Sequence, residues 1–225
     1  MNTPGRLEMV ARLVRGGFHS VALPQELEST LGLDRAVVEA ALREVSHHLT
    51  WNRPNDAWLY AIVRAMRPRL VVETGVDQGN SSAAILRALD RNETGRLISI
   101  DRPFDAPTNQ DGRVDLSGRG RVGAEVPPGL RRRWTLIAGD AKAHLERVLK
   151  SEGPVDIFFH DSDHSYNHQS WEYEMAWPYI RPGGLLLSDD VDWTTAFKNF
   201  STRRGIQPYI FRLGPSVRGA LWKAV

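Results

Sequence analysis

The sequence predicts an α/β protein whose central sheet is mostly parallel, with helices on both faces. Three short, largely apolar runs, at 70–72, 155–159 and 184–187, are typical of strands buried inside a sheet. Helical patterns separate these runs, and an alternation of strands with helices favours parallel pairing. The stretch from Pro208 to Val225 instead alternates like two strands around a Gly-Pro-Ser turn, which predicts an antiparallel hairpin at the sheet edge.

Length and composition fit one domain of ordinary size. The 225 residues, 41% of them hydrophobic, are enough to bury a full core. Basic and acidic residues nearly balance, at 29 and 27, and a net charge of +2 does not favour nucleic acid as a partner. The chain has no cysteine, which excludes disulfides and thiolate metal sites and leaves oxygen and imidazole as metal ligands.

The N-terminal residues do not resemble a secretory signal, because charged residues between Arg6 and Arg15 interrupt any apolar stretch there. No apolar run reaches the roughly 18 residues that a membrane-spanning helix needs. We therefore expect a cytoplasmic protein that does not enter a membrane.

The pattern divides the chain into a helical N-terminal extension and cap, residues 1–66, and a main domain, residues 67–225. Apolar residues between Pro24 and Leu49 recur at helical spacing, and a second helix is expected to end near Met66. The segment 102–133 is rich in glycine, proline and arginine. Its length inside a domain indicates either a lid loop over a site or a solvated flexible insertion.

A strand, a glycine turn and a helix follow one another from Leu70. The strand ends at Glu73, and Gly75, Gly79 and Ser81 lie in the turn and at the start of the helix. Glycine lets the backbone approach a ligand closely, and free amides at a helix N-terminus point toward it. The Gly-x-x-x-Gly spacing differs from that of dinucleotide sites, so no pyrophosphate is demanded. The turn indicates a nucleoside-like ligand, although a tight turn needs glycine in any case.

Two more acidic residues follow the next strands. Asp101 ends a strand over 96–100, where a carboxylate can accept hydrogen bonds from ribose hydroxyls. Asp140 follows a strand over 134–138 and precedes the helix that begins at Ala141. It either accepts a hydrogen bond from an adenine amino group or caps that helix. With the glycine turn, these residues favour a nucleoside-binding edge of the sheet.

Carboxylates also follow the two later apolar strands. Asp161 follows one strand and Asp189-Asp190 the other, while His164 lies three positions after Asp161. Because parallel strands present their carboxyl ends at one edge, these side chains are expected to converge. Carboxylates suit a hard divalent cation, and a neutral imidazole can act as a base. The alternatives are that His164 caps a helix or packs in the core, and that the acidic pair caps the next helix.

Taken together, these motifs resemble the class I S-adenosylmethionine-dependent methyltransferases. The shared pattern comprises Glu-x-Gly-x-x-x-Gly-x-Ser from Glu73, the two acidic strand ends that follow, the run Asp161–Tyr166, and Pro182-Gly183-Gly184. It is most similar to bacterial members with an Asp-Gly-Asp-His-x-Tyr-type motif and to metal-dependent O-methyltransferases of the catechol and macrolide-sugar types. Proteins named cephalosporin hydroxylases share the likeness. Ser162 stands here in place of the motif's glycine.

The resemblance covers about residues 70–225 and implies a Rossmann-like sheet of seven strands and methyl transfer to oxygen. It implies that Mg²⁺ or another divalent cation is held by Asp161, Asp189 and Asp190, and that His164 is the catalytic base. Histidine at that position, where catechol enzymes have lysine, favours a sugar or another aliphatic hydroxyl. It further implies contacts with S-adenosylmethionine from a set of residues along the same edge: Glu73, Gly75, Gly79, Ser81, Asp101, Asp140, Ala141 and Asp161.

The expected partner is therefore a small hydroxylated molecule such as a sugar, polyol, phenol or natural product, and homo-oligomerisation is left open. Besides a catalytically inactive binding or assembly protein, three alternatives stand beside this function. The first is a metal-independent methyltransferase. The second is a nicotinamide-dependent oxidoreductase, against which the glycine spacing argues. The third is a nucleic-acid-binding module built on the arginines of segment 102–133.

Overall fold

A computed structural model describes residues 57–102, 121–213 and 216–224 of the chain. The predicted helical extension before residue 57 and most of segment 102–133 lie outside these ranges. The division into an extension and a main domain stays a prediction, as does the role of the segment as a lid.

Seven strands form one sheet: β1 (Leu70–Thr74), β2 (Arg96–Asp101), β3 (Trp134–Ala138), β4 (Val155–His160), β5 (Ile180–Ser188), β6 (Tyr209–Leu213) and β7 (Ser216–Trp222). Their order across the sheet is β3-β2-β1-β4-β5-β7-β6. Strands β1 to β5 pair in parallel, whereas β7 pairs antiparallel with both β5 and β6. The predicted α/β class, the seven strands and the C-terminal hairpin are confirmed.

Helices cover both faces of this sheet: α1 (Ala57–Met66), α2 (Asn80–Arg91), α3 (Ala141–Glu152), α4 (Tyr166–Ala176) and α5 (Ala196–Arg203). One apolar cluster joins α1 and α2 to the sheet. In it Trp58 packs edge-on against Phe159, with 5.6 Å between the ring centroids. The second joins α3, α4 and α5 to the other face, with Tyr173 against Phe197 at 5.8 Å. None of the described helices is both long and apolar enough to cross a membrane.

The central strands are buried along their whole length. All residues of β1 and of β4 are buried, as expected for parallel strands covered by helices on both faces. Asp156 and His160 are the two polar residues of β4. The carboxylate of Asp156 lies near the start of the strand. Its Oδ2 accepts hydrogen bonds from the backbone amides of Arg69 and Leu70, at 2.8 and 2.9 Å, and so ties β4 to the start of β1.

Two element boundaries differ from the sequence prediction. Residues 181–184 have the sequence Arg-Pro-Gly-Gly, which predicts a turn into the strand, but they belong to β5. The Gly183 amide donates to the carbonyl of Lys223 at 2.7 Å. Pairing with the hairpin thus extends the strand through a Pro-Gly-Gly sequence. The sequence predicts a helix that starts at Asp192, but helix α5 begins at Ala196, with Thr195 at its N-cap. The alternative in which the acidic pair 189–190 caps this helix is therefore wrong.

The strand order places a crevice beside β1. The chain runs from β1 outward to β2 and β3, then returns to the other side of β1 to form β4 and β5. At such a switch point the connections leave in opposite directions, and a ligand can enter beyond the carboxyl ends of the strands. The glycine turn and the acidic strand ends lie at this edge.

Candidate functional site

The glycine turn after β1 packs directly on the end of β4. Gly75 has φ +83°, and a Cβ built on it would lie 2.0 Å from the carbonyl oxygen of Asp161. Its amide donates to the carbonyl of Ile100 at 3.0 Å, and the amide of Asp161 donates to that of Thr74 at 2.8 Å. Only glycine suits both this backbone conformation and this approach. The glycine turn, predicted to bind the cofactor, and the loop after β4 that carries His164, the predicted base, are therefore in contact.

Gly79, with φ +97°, is the N-cap of α2 and lies against the described residues of segment 102–133. A Cβ at this position would come within 2.7 Å of the Val126 side chain. The amides of Gly123 and Glu125 donate to the carbonyls of Asp77 and Gln78, at 2.9 and 2.8 Å. Residues 121–126 are thereby fixed over the glycine turn by backbone hydrogen bonds.

Glu73 is fully buried beneath the turn. Its two carboxylate oxygens accept hydrogen bonds from the hydroxyls of Ser81, Ser82 and Ser99, at 2.6 to 2.7 Å. Burial raises the pKa of Glu73 to about 7, although the three hydroxyls oppose the shift. Glu73 and Ser81, both predicted as cofactor contacts, thus bond to each other and support the turn from below.

Asp101 holds the turn in shape from the end of β2. Its Oδ2 accepts from the backbone amides of Val76 and Asp77, each at 2.8 Å, and its Oδ1 accepts from that of Arg102 at 2.7 Å. Burial raises the pKa of Asp101, against the lowering effect of these amides. A carboxylate offers about four lone-pair sites, so capacity remains for ribose hydroxyls.

Asp140 caps α3, as one of the two sequence interpretations held. Its Oδ1 accepts from the amide of Lys142 at 2.8 Å, while Ala141 is buried at the first position of the helix. The hydrogen bond from an adenine amino group to Asp140 and the contact of Ala141 with the cofactor stay predictions.

His164 lies between the two acidic strand ends. Its Nε2 is 3.6 Å from Asp161 Oδ1, and its Nδ1 is 3.5 Å from Asp190 Oδ2. The side chain is only 11% exposed, and the rings of His160 and Trp193 flank it, at 5.4 and 5.0 Å between centroids. Three of the four predicted acceptor-side residues are therefore together, with the imidazole in the middle.

Asp189, the fourth, faces a different partner. Its Oδ1 lies 3.2 Å from Nε of Arg218, an arginine of β7 that is only 3% exposed. Burial raises the pKa of Asp189, and the guanidinium opposes that rise. The acidic pair is thus divided, with Asp190 toward the imidazole and Asp189 toward the arginine.

The predicted metal site is not assembled in this arrangement. Carboxylate oxygens have the right chemistry for Mg²⁺. Among the described residues, however, no group of three or more histidine, aspartate or glutamate side chains is placed to hold a metal ion. Arg218 faces one carboxylate and His164 separates the other two. The residues as arranged do not fit a divalent cation, and we derive no reaction step through one.

A buried polar cluster lies beneath the loop of residues 161–165, which carries His164, and it is not part of the sequence motifs described above. Glu172 of α4 accepts from Thr74 Oγ1 at 2.5 Å and from Ser162 Oγ at 2.9 Å. Its oxygens also lie 2.6 Å from His160 Nδ1 and 2.8 Å from His168 Nε2. One carboxylate therefore joins the ends of β1 and β4 to the loop that carries His164.

The charges of this cluster depend on one another. Burial alone would raise the pKa of Glu172, but the two histidines hold it well below its usual range. Burial lowers the pKa of His160, whereas for His168 the contact with Glu172 outweighs burial and raises the pKa. The pair His168 and Glu172, four positions apart on a helix, was the available sequence signal.

Comparison with known families agrees with this geometry. The model of a family described as a methyltransferase domain matches residues 72–191, which include the glycine turn and the acidic strand ends. The chain is also similar to short stretches of two curated enzymes. It is 34% identical over 56 residues to mycinamicin VI 2''-O-methyltransferase of Micromonospora griseorubida, and 31% over 70 residues to demethylmacrocin O-methyltransferase of Streptomyces fradiae.

These stretches are 25% and 30% of this chain, and they span only 14% and 18% of the length of the two enzymes. Similarity to solved structures extends much further. An O-methyltransferase of Bacillus cereus, solved with S-adenosylhomocysteine (SAH), has a TM-score of 0.54 at 16% identity, covering 88% of this chain and 96% of that one.

The O-methyltransferase TomG of Streptomyces achromogenes, solved with S-adenosylmethionine, has a TM-score of 0.53 at 19% identity, covering 87% of this chain and 94% of that one. At these identities the likeness concerns the fold. The family match over more than half of the chain, together with the seven-stranded sheet, shows that this protein belongs to the methyltransferase domain family and has the class I methyltransferase fold.

Proposed function

We propose that this protein is an S-adenosylmethionine-dependent O-methyltransferase that methylates a hydroxyl of a small molecule, with His164 as the base. The observation that carries the proposal is the position of the imidazole, 3.5 and 3.6 Å from two carboxylates, on a loop in contact with the glycine turn. A base beside a nucleoside-binding turn is what methyl transfer to oxygen requires, because the acceptor must lose a proton as the methyl group arrives.

The cofactor half of the proposal rests on the turn 75–79 and on Asp101. Backbone close to the ligand, a helix N-terminus and an acidic strand end are features that bind a nucleoside. The two solved relatives above contain S-adenosylhomocysteine and S-adenosylmethionine, which supports the same cofactor here. When bound, this cofactor would supply the methyl group of its sulfonium, which would be transferred to the acceptor oxygen and leave S-adenosylhomocysteine.

For the acceptor half, we propose that His164 accepts the hydroxyl proton. The carboxylates of Asp161 and Asp190 would stabilise the positive charge that develops on the ring, since they lie within about 4 Å in a partly buried site. Tight alignment of the hydroxyl with the sulfonium methyl supplies a further gain, of about 7–11 kcal/mol for well-oriented reactants.

We propose a sugar or another small hydroxylated molecule as the acceptor. The names of both curated relatives describe O-methyltransferases, one of them acting at a 2'' position. Trp193, 47% exposed and edge-on to His164, offers an aromatic surface beside the base on which a ring could pack.

Mg²⁺ dependence is a separate proposal about the same site. Its support is the sequence position of three carboxylates at two adjacent strand ends, Asp161, Asp189 and Asp190, which would hold the ion only with Arg218 displaced from Asp189. The ion pair between Asp189 and Arg218 instead favours the metal-independent alternative. Methyl transfer measured with and without excess EDTA separates the two, since only a metal-dependent enzyme stops and then recovers on addition of Mg²⁺.

The function is tested in two steps. Calorimetric titration with S-adenosylhomocysteine should give saturable 1:1 binding, with NAD as the negative control. Transfer of a radiolabelled methyl group should then be measured to a set of glycosides, polyols, catechols and phenols. Binding of NAD without binding of S-adenosylhomocysteine would favour the oxidoreductase alternative and contradict the proposal.

A further inference from the structure

We propose that Arg218 is the resident cation of the acidic end of this site. Its guanidinium neutralises Asp189, so that this carboxylate is not a ligand for a divalent cation while the arginine is in place. The inference rests on the proposed function for the position of the acceptor, but the ion pair itself is independent of any reaction.

The sheet places these two residues together. Ser188, the last residue of β5, pairs with Gly219 of β7, so Arg218 is opposite the residue that follows the strand, Asp189. The amide of Val191 donates to the carbonyl of Val217 at 2.9 Å and holds the chain beyond Asp189 against the same strand. The antiparallel register of the hairpin therefore delivers the guanidinium to the acidic strand end.

The arginine is built into the protein interior. It is 3% exposed, its Nε lies 3.2 Å from Asp189 Oδ1, and its guanidinium lies 5.7 Å from the centre of the Trp58 ring. An arginine stays charged in proteins, and a buried charge needs a partner of opposite sign. Asp189 supplies that charge here, and Trp58 supplies an aromatic face.

This pairing changes what the acidic end can bind. A divalent cation at Asp189 would lie beside a fixed positive charge in a region of low dielectric constant, where the repulsion is only weakly screened. Asp161 and Asp190, in turn, face the imidazole of His164. Removing the guanidinium should therefore increase the affinity for divalent cations. If Arg218 instead served to orient Asp189 toward a metal ion, its removal would lower that affinity.

Mn²⁺ is a suitable probe, because its electron paramagnetic resonance signal reports the free ion directly. The full-length protein, treated with chelator and dialysed, is titrated as wild type, Arg218→Gln, Arg218→Lys and Arg218→Gln/Asp189→Asn. Arg204→Gln is the matched control, since that guanidinium pairs with Glu174 on a helix. We expect Arg218→Gln to bind Mn²⁺ at least about tenfold more tightly than wild type.

Arg218→Lys and Arg204→Gln should remain close to wild type, and the added Asp189→Asn change should abolish the gain. Equal or weaker binding by Arg218→Gln would overturn the proposal, whatever the affinity of the wild type. If Arg218→Gln does not fold, Asp189→Asn alone decides. A loss of Mn²⁺ binding in that variant would identify Asp189 as a ligand of the wild-type protein and contradict the inference, whereas unchanged binding supports it.

Titration of the same samples with S-adenosylhomocysteine keeps the two proposals apart. Failure to bind this nucleoside would contradict the proposed function and leave the result for Arg218 intact. Normal nucleoside binding with no gain in Mn²⁺ affinity would contradict only the role of Arg218.

Discussion

Gly75 and Asp161 are in such close contact that the turn after the first strand and the loop after the fourth form one unit. A Cβ at position 75 would lie 2.0 Å from the carbonyl oxygen of Asp161, and φ at that glycine is +83°. A change in the backbone of the glycine turn should therefore displace the loop that carries His164.

Gly75→Ala should destabilise the protein and weaken nucleoside binding. The added methyl group meets backbone atoms that have little room to move, and positive φ is unfavourable for alanine, so we expect a loss of more than about 2 kcal/mol. Urea denaturation and titration with S-adenosylhomocysteine measure the two effects. Gly129→Ala is the control, because a Cβ there meets nothing within 4 Å. Equal stability of the two variants would contradict the close contact.

His164→Ala should reduce methyl transfer without weakening cofactor binding. General-base catalysis contributes about 10²–10⁴-fold to the rate, so kcat should decrease by a factor in that range. The measurements are the initial rate with a turned-over acceptor and calorimetric titration with S-adenosylhomocysteine. A variant with normal kcat would remove His164 as the base, and a parallel loss of nucleoside binding would indicate a structural role.

Glu73 should make stability depend on pH in an unusual direction for a carboxyl group. Its pKa in the folded protein is about 7, raised by burial from 4.5. Its contribution is therefore fully present below pH 4.5 and is lost as the pH rises through 7. The difference between these two pKa values corresponds to about 3 kcal/mol of free energy of unfolding.

Glu73→Gln, which resembles the protonated form, should lose less stability than wild type between pH 4.5 and pH 8 in urea denaturation. Glu146→Gln, at an exposed pair with Lys150, should follow the wild-type profile. Parallel profiles for Glu73→Gln and wild type would show that the buried carboxyl is not the cause.

Glu172 should act in the opposite direction. Its pKa is depressed by His160 and His168, so its contribution is present above its ordinary value of 4.5 and is lost as the pH falls below it. Glu172→Gln should lose about 3–5 kcal/mol at pH 7, because it leaves buried groups without their charged partner. The deficit should shrink at acidic pH, where wild type loses the same interaction.

Glu174→Gln tests whether position on the same helix matters by itself. Glu174 forms exposed pairs with Arg203 and Arg204, which are worth at most about 1 kcal/mol. A loss as large as that of Glu172→Gln would attribute the effect to the helix and not to the buried cluster.

Much of the fold could be predicted because its signals are local. Apolar strands, helical spacing and the glycine turn each lie within a few residues, and they predicted all seven strands. The contact set around His164 followed from one rule, that parallel strands end at the same edge. The start of α5 was predicted too early because Asp192 resembles a helix cap, whereas the turn at 191–195 is tied to β7.

Two features of the site depend on distant pairings and could not be predicted in this way. Arg218 reaches Asp189 through the antiparallel register of the hairpin, which no local pattern specifies. Glu172 meets Thr74 across 98 positions of sequence. The spacing of Asp161, Asp189 and Asp190 predicts a metal site, whereas in the structure Arg218 faces Asp189 and His164 lies between the other two.

The C-terminal hairpin has a consequence for how the site varies. The family match ends at residue 191, and Arg218 lies beyond it, on a strand inserted between β5 and β6. The predicted nucleoside-binding edge and the guanidinium at the proposed acceptor end thus lie in separate parts of the chain. Exchanging the two strands of this hairpin between related methyltransferases should change the charge beside Asp189 and leave cofactor binding unchanged.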